Sequence, residues 1–415
     1  MRWSTARVLA SAFLAGTWTA DEMLARAHYV LVAKPRWLKK LVAEVLARFP
    51  TPPHDARDDV ARLIVTRPRV RIVRPLFDTP EMRATPFEVP PLATIGAIAE
   101  HLAIDQIDWF ADRKGLERFA EGEPLRHYRY KWVPKRSGGV RLLEQPKPRL
   151  RAIQRRVLHE ILDRAPPHDA AHAFRAGRSV VTCAARHAGR YVVIRFDLAD
   201  FFASIRIERV NAIFHGLGYP DEAARTLAGL CTNWAPAKVI ADLPHARRLQ
   251  LAYPHLPQGA PTSPALANLA AFPLDVRLSA LARSMSASYT RYADDLFFSG
   301  DAALARAADR LHALVGAIAL EEGFELNYRK TRVMRQGVRQ RVTSIVVNAH
   351  PNVDRPAFDR LKAILTNCIR HSPASQNRDG VADFRAHLAG RVAWVSSVAP
   401  ARGERLAALF DRIVW

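Results

Sequence analysis

The sequence predicts an α+β chain of more than one domain, and three observations carry that prediction. Helical apolar patterning dominates both ends, β-branched and aromatic runs of strand length interrupt the middle, and a Pro-rich stretch sets off the N-terminal helices. At 415 residues the chain is long enough for two or three domains and for a core that needs no cross-links. An apolar fraction of 49% and a charged fraction of 25% exclude wholesale disorder.

Residues 1–48 read as helices, with WLKKLVAEVLARF (37–49) carrying an i, i+4, i+7 apolar stripe. The first residues superficially suggest a leader, with Arg2 and Arg7 ahead of a short apolar stretch. That stretch is short for a signal peptide, and an amphipathic helix running on through DEMLARAHYVLVA fits better. Residues 50–92 change character. PTPPH, RPRVRIVRP and the prolines at 80, 86, 90 and 91 break any regular element, so this reads as a linker or extended arm. Helix resumes with LATIGAIAEHLAI. Residues 113–160 then carry 14 Lys and Arg against 5 Asp and Glu, around VPKRSGGVR (133–141). Ser137, Gly138 and Gly139 would join two strands in a hairpin, with Lys135 and Arg136 on one side and Arg141 on the other. Such a hairpin can clasp a triphosphate; the plain alternative is a solvated charged loop. From Asp354 to Trp415 the text is helical again, in FDRLKAILTNCI, VADFRAHLAGRVAWVSSV and ERLAALFDRIV. There is no internal repeat and no low-complexity tract.

Charge narrows the partners. Lys and Arg number 62 against 40 Asp and Glu, a net +22, and 52 of the 62 are Arg, the side chain that forks onto phosphate. A polyanion is the first partner to consider, because a basic surface neutralises phosphates and releases counterions. Cys183, Cys231 and Cys368 form neither a disulfide framework nor a paired metal motif, which fits a reducing, cytoplasmic setting. His168 and His172 lie four apart with no further ligand in view and read as surface or capping residues. No apolar run reaches the roughly 18 residues of a membrane span, so no membrane partner is expected.

In so basic a chain, acidic residues in apolar surroundings need a reason. YVVIRFDLADFF (191–202) is a strand-like run whose first acid is Asp197, and RYADDLFFS (291–299) sets Asp294 and Asp295 between apolar segments, as at the tip of a hairpin. Adjacent half-buried carboxylates repel unless a cation or proton lies between them. Three carboxylates from two neighbouring strands suit two divalent ions about 4 Å apart, the arrangement for in-line phosphoryl transfer. Mg²⁺, hard and oxygen-loving, is the natural ion. Between these segments lies LPQGAPTSPALANLAAF (256–272), where Pro257, Gln258 and Gly259 make a turn and Pro261 to Pro264 can open a helix.

The ordered set FDLADFF, PQGAPTSP and YADD resembles the three central motifs of reverse transcriptases. KWVPKRSGGVRLLEQPKPRLRAIQRRVLHEIL resembles the fingers of the bacterial enzymes, HAFRAGRSVVTCAARH the segment before the first motif, FELNYRKTRVM the fourth motif, and VTSIVVN the primer-grip region. The resemblance covers about 115–350. It implies a right-hand polymerase: fingers over 93–190, a palm of antiparallel sheet plus helices over 191–350, and a small helical thumb over 351–415. The helical extension and Pro-rich arm of 1–92 would precede them. By the same resemblance Asp197, Asp294 and Asp295 would hold two Mg²⁺ ions, with the Leu198 carbonyl as a further ligand. Phe202 would exclude a ribose 2′-OH, with Phe201 left to the core. Gln258 and Gly259 would touch the incoming dNTP and template, Lys135 and Arg141 would hold the triphosphate, and Lys330 would act near the leaving pyrophosphate.

Within the bacterial enzymes the chain resembles the retron type. An insertion near 207–250 carries Asn211-Ala212-Ile213-Phe214-His215, matching an Asn-Ala-x-x-His signature. Val342-Thr343-Ser344 stands where retron enzymes have Val-Thr-Gly, a departure at the third position. Asn211, His215, Val342 and Thr343 are thus candidate RNA-recognition residues. The resemblance implies a structured noncoding RNA as template and primer, priming from a 2′-OH to give a branched RNA–DNA product, an effector protein as possible partner, and a role in antiphage defence. Two other readings stand beside it: another defence-associated or template-independent polymerase of the same family, and a non-catalytic RNA-binding protein. The last has no use for three carboxylates at one site.

Overall fold

A computed structural model describes residues 1–15, 17–51, 57–73, 80–113, 115–120, 122–134 and 138–415. The chain divides into two units, Met1–Glu81 and Met82–Trp415.

The first unit is helical: Trp3–Leu14, Ala20–Val30, Leu38–Arg48 and Arg57–Val65. Leu9, Phe13, Met23, Leu41, Val45 and Ile64 form its core. The Arg26 guanidinium donates to the carbonyls of Ala12, Phe13 and Thr17 at 2.8–3.1 Å. It thereby satisfies acceptors that a helix end leaves open. The helix Arg57–Val65 corrects the expectation that prolines break every element between 50 and 92. The stretch RDDVARLIV contains neither Pro nor Gly, starts with Asp58 and Asp59 in its first turn, and buries Val60, Ala61 and Ile64. A proline-rich neighbourhood does not suppress a nine-residue amphipathic segment between prolines. Residues 82–92, read from sequence with the arm, belong to the second unit: Arg83 donates its N–H to the Gly218 carbonyl, and the Tyr219 hydroxyl donates to the Pro90 carbonyl.

In the second unit strands β1 (Tyr128–Pro134) and β2 (Val140–Pro146) pair antiparallel, with Pro134 opposite Val140. This is the expected hairpin; Lys135, Arg136 and Ser137 lie outside the described residues. Four further strands, β3 (Val192–Asp197), β4 (Ser288–Tyr292), β5 (Asp295–Gly300) and β6 (Arg332–Arg335), form an antiparallel sheet in the order β4-β5-β3-β6. A short pair, β7 (Arg341–Val342) and β8 (Ile345–Val346), follows.

Strand periodicity explains why β3 and β5 are apolar throughout rather than alternating. Ile194, Phe196, Leu296 and Phe298 enter one core, with the helices Ile207–Gly216, Asp221–Cys231 and Ser263–Ala270. Val193 and Phe297, one residue out of step, enter a second core with Leu361, Leu365, Leu388, Val395 and Leu406 of the C-terminal helices. A sheet covered on both faces needs apolar residues at both parities. The C-terminal helices Arg355–Arg370, Phe384–Val398 and Pro400–Phe410 fall where the sequence pattern put them. Hairpin, sheet and C-terminal helices make the expected α+β architecture.

Cys183, Cys231 and Cys368 are free and buried. His168 accepts the Ala170 N–H at a local turn, as a capping residue would. His172 differs from expectation: it is buried and bonds Thr182 Oγ1 at 2.8 Å, and burial pulls its pKa down to about 4. Among the described residues no single helix is long and apolar enough to cross a membrane.

Candidate active site

A cavity of about 380 Å³ opens at the end of β3, lined by Arg141, Asp197, Leu198, Asp200, Phe202, Arg247, Gln258, Asp294, Asn327 and Lys330 among others. The sheet register creates it. Asp197 ends β3 directly opposite Asp295, which begins β5, and the β4–β5 turn carries Asp294 beside them. Leu198 N–H donates to the Asp294 carbonyl at 2.8 Å, and Asn327 N–H donates to the Asp197 carbonyl at 2.7 Å. The three carboxylates predicted from two separate segments therefore meet at one sheet end.

The electrostatics are those of crowded anions. Asp197 is 2% exposed. Burial first, and the charge of Asp197 next, push the Asp294 pKa up. Burial raises Asp295 to about 6, against the pull of Arg195 and with a further push from Asp294. Two cations answer this crowding. Lys330 Nζ donates to both oxygens of Asp197 at 3.0 and 2.9 Å, and Arg195 donates twice to Asp295 Oδ1 at 2.9 and 2.7 Å. Among the described residues the three carboxylates, though neighbours, are not drawn together as a formed metal-binding group, and two of them face protein cations. As a donor set, three hard carboxylates fit an oxygen-seeking divalent ion.

The turn that carries Asp294 is built into the interior. Ala293 adopts φ +56°, a conformation unfavourable for a residue with a Cβ. The Arg291 guanidinium donates to the Ala293 carbonyl at 3.2 Å and is itself fully buried on Asp275, with Nη2 to Oδ2 at 2.7 Å. It also donates to Asn268 Oδ1 at 3.0 Å, and Asn268 in turn donates to the Ala173 carbonyl.

The opposite wall joins the hairpin to the Pro257 turn. Glu144 N–H donates to the Gln258 carbonyl at 3.0 Å. Gly259, at φ +139°, lies so close that a Cβ would fall 2.8 Å from the Glu144 carbonyl oxygen, so only glycine fits. The buried Glu144 carboxylate accepts from Asn233 Nδ2 at 2.8 Å and from His255 Nε2 at 3.0 Å. His255 Nδ1 lies 2.7 Å from the Tyr253 carbonyl, so both ring nitrogens face oxygen acceptors, an arrangement that favours the protonated ring. Burial lowers the His255 pKa, but the charge and hydrogen bond of Glu144 and the Tyr253 carbonyl outweigh it, and the net shift is upward.

Of the residues singled out from sequence, the cavity gathers Asp197, Leu198, Asp294, Arg141, Phe202, Gln258 and Lys330, with Asp295 beside it. Gly259 lines an adjoining groove that Phe202 shares with Arg151, Arg155 and Pro261. Phe201 is buried against Phe324, as a core residue. Lys135 lies outside the described residues. Asn211, His215, Val342 and Thr343 stand away from the cavity lining. His215 Nδ1 meets the Tyr219 carbonyl at 3.1 Å across the end of its helix. Asn211 Oδ1 is buried with no hydrogen-bond partner among the described residues. Val342 is core and Thr343 occupies a turn at φ +56°. Sequence reading missed Arg195, Asp200, Arg247, Asn327 and the pairs Arg291–Asp275 and Glu144–His255. Arg195 had a signal: two residues before Asp197 on a strand, it shares the same face. Asp200 and Asn327 stand inside FDLADFF and FELNYRKTRVM, and Arg247 and the two pairs show only once separate elements pack together.

Residues 133–353 match the family model described as reverse transcriptase (RNA-dependent DNA polymerase). The chain is 45% identical over 290 residues to the retron Mx65 reverse transcriptase of Myxococcus xanthus, covering 69% of this chain and 64% of that protein. It is 37% identical over 349 residues to the retron Mx162 reverse transcriptase of the same organism, covering 79% of this chain and 69% of the relative. Against the retron Ec86 reverse transcriptase of Escherichia coli it is 31% identical over 227 residues, covering 54% of this chain and 64% of the relative.

The Glu144–His255 pair makes stability depend on pH in a definite direction. Because the folded pKa of His255 is raised, its contribution is complete below about pH 6.5, the ordinary histidine value, and is lost as pH rises through the folded value. Urea midpoints measured from pH 6 to 9 should fall through that window. Glu144→Gln should cost about 3–5 kcal/mol at pH 6 by leaving a buried charge unpaired, and should flatten the dependence. A wild-type profile with no fall above pH 6.5 would show that the pair carries no charge.

Proposed function

The chain belongs to the reverse transcriptases, and among them to the retron reverse transcriptases, and from that premise we propose that it copies part of a structured noncoding RNA into DNA. In this reading synthesis starts from an RNA 2′-OH, the product is a branched RNA–DNA, and the activity serves antiphage defence in the cytoplasm, with an effector protein as a further partner. The observation that carries the catalytic part is the meeting of Asp197, Asp294 and Asp295 at the end of β3, the first two on the floor of a cavity with cations on its walls and the third beside it.

Each side chain has a part in that chemistry. The family works with divalent metal ions. Asp197, Asp294, Asp295 and the Leu198 carbonyl would hold Mg²⁺, two ions in this proposal, which when bound supplies activation of the attacking hydroxyl and charge neutralisation on the phosphate. Lys330, an ammonium within reach of Asp197, suits charge that develops on the leaving pyrophosphate, and Arg141 the triphosphate of the dNTP. Phe202 presents its ring to the cavity 5.6 Å from Phe201 and 6.3 Å from Phe174, a rigid surface against which a ribose 2′-OH would collide. Gln258 and Gly259 would meet base and template. A chain with 52 Arg suits RNA read through phosphates and 2′-hydroxyls. In this proposal recognition of the particular RNA falls to Asn211, His215, Val342, Thr343 and the C-terminal helices. The three free, buried cysteines are compatible with a reducing compartment.

Two substitutions test the assignment. Asp294→Asn removes one anionic ligand while preserving shape. Extension of a primed RNA template should fall by about 10³-fold or more with an unchanged unfolding midpoint; near-normal extension would refute the catalytic reading. Phe202→Ala should admit ribonucleotides while DNA synthesis falls only modestly, since the gate acts by excluded volume. Unchanged sugar discrimination would return Phe202 to the core.

A further inference from the structure

The segment between β3 and the Pro257 turn supplies one of the cavity's cations, Arg247. Its helix, His245–Ala252, is fixed from both sides. Leu251 is buried with Leu142 of β2, Ala235 and Ile240, and Ala203 packs against the same group. The Arg206 guanidinium donates to the Gln250 carbonyl at 2.9 Å, and Ile207 N–H donates to the Pro254 carbonyl at 3.1 Å. The helix is thus wedged between the hairpin and the turn that follows Asp197, and Arg247 reaches the cavity, where it pairs with Asp200.

The pair is unusual for its setting. The Arg247 side chain is 25% exposed and that of Asp200 28%, so both are largely withdrawn from water. Burial lowers the guanidinium pKa. Asp200 sits at φ +47°, a left-handed conformation that a non-glycine residue adopts at a cost. An isolated carboxylate in this position would oppose a polyphosphate. Matched to an arginine it becomes a holding partner, because a guanidinium can leave one carboxylate and fork onto phosphate oxygens with better geometry. Arg141 from the hairpin and Lys330 line the same space. Three cations from three separate elements therefore surround a cavity whose floor is anionic.

We propose that Arg247 is a triphosphate-holding residue, delivered by the inserted helix His245–Ala252 and kept on Asp200 until a nucleoside triphosphate enters. The proposal rests on the reading of this cavity as the incoming-nucleotide site. Arg247 releases Asp200 and engages the phosphates, so the insertion serves substrate binding as well as architecture.

Steady-state extension of a primed RNA template at varied dNTP tests this with the full-length protein. Arg247→Ala should raise the KM for dNTP at least fivefold with kcat within threefold of wild type, and Arg247→Lys should fall between them. The double variant Asp200→Asn/Arg247→Ala separates the two roles of the arginine. If Arg247 binds phosphate, its KM stays raised. If Arg247 only neutralises Asp200, its KM returns to the wild-type value and the proposal is overturned. An Arg247→Ala KM within twofold of wild type overturns it too, as does a loss confined to kcat. Melting midpoints and RNA affinity of each variant confirm that the fold is retained. Wild-type enzyme whose rate does not saturate with dNTP would instead overturn the underlying reading of the cavity.

Discussion

The fully buried ion pair of Arg291 and Asp275 is the constraint on which the candidate site depends. Both side chains are inaccessible to solvent, and each hydrogen-bonding group of the guanidinium has a defined job. Its Nε and Nη2 bind Asp275, while Nη1 reaches Asn268 and the Ala293 carbonyl. The Tyr289 hydroxyl donates to Asp275 from the same strand, two residues away. Desolvating two charges is expensive, and such a pair contributes little net stability compared with apolar residues of the same size. What it contributes here is geometry. One side chain links the helix Phe272–Ser284, the helix Ser263–Ala270 and the β4–β5 turn, and the backbone of Arg291 pairs with Ala170 and His172 besides. The turn with Ala293 at positive φ, and Asp294 after it, is held where a lone hairpin would relax.

Around that fixed turn the carboxylates are balanced by cations from separate segments. Lys330 comes from the segment after Asn327, Arg195 from β3 itself, and Arg247 from the helix His245–Ala252. Each neutralises one of the acids that crowd the end of the sheet. The proposed function, in which divalent cations and a polyphosphate enter the site, requires such balance beforehand, since three or four uncompensated carboxylates would raise one another's pKa values and take up protons. The rigid parts lie beneath, in the two cores that the alternating residues of β3 and β5 enter.

The carboxylates were legible in the sequence because local rules govern them. VVIRFD is a strand by composition, YADD between apolar runs is a hairpin tip, and the ordered motifs place Gln258 and Gly259 near both. The hairpin around Gly138 and Gly139 and the three C-terminal helices followed from turn chemistry and periodicity. The helix Arg57–Val65 was hidden by neighbouring prolines, which act only where they stand. His172 was misplaced because four-residue spacing says nothing about burial when the residues lie in a loop. Arg291–Asp275, Glu144–His255 and Asp200–Arg247 were invisible for one shared reason. Their partners come from different elements, and only the packing of those elements decides which charges meet.

Single-turnover extension of a primed RNA template by Asp275→Asn tests most directly whether the buried pair positions the site. It is to be read at a temperature where circular dichroism shows the variant folded. Displacement of the Ala293–Asp294 turn by as little as about 1 Å should slow the chemical step by about 100-fold. The KM for dNTP should change little, because the cavity walls do not rest on this pair. A folded Asp275→Asn enzyme that extends the primer within twofold of the wild-type rate would show that the turn holds its geometry without Arg291, and would contradict the dependence.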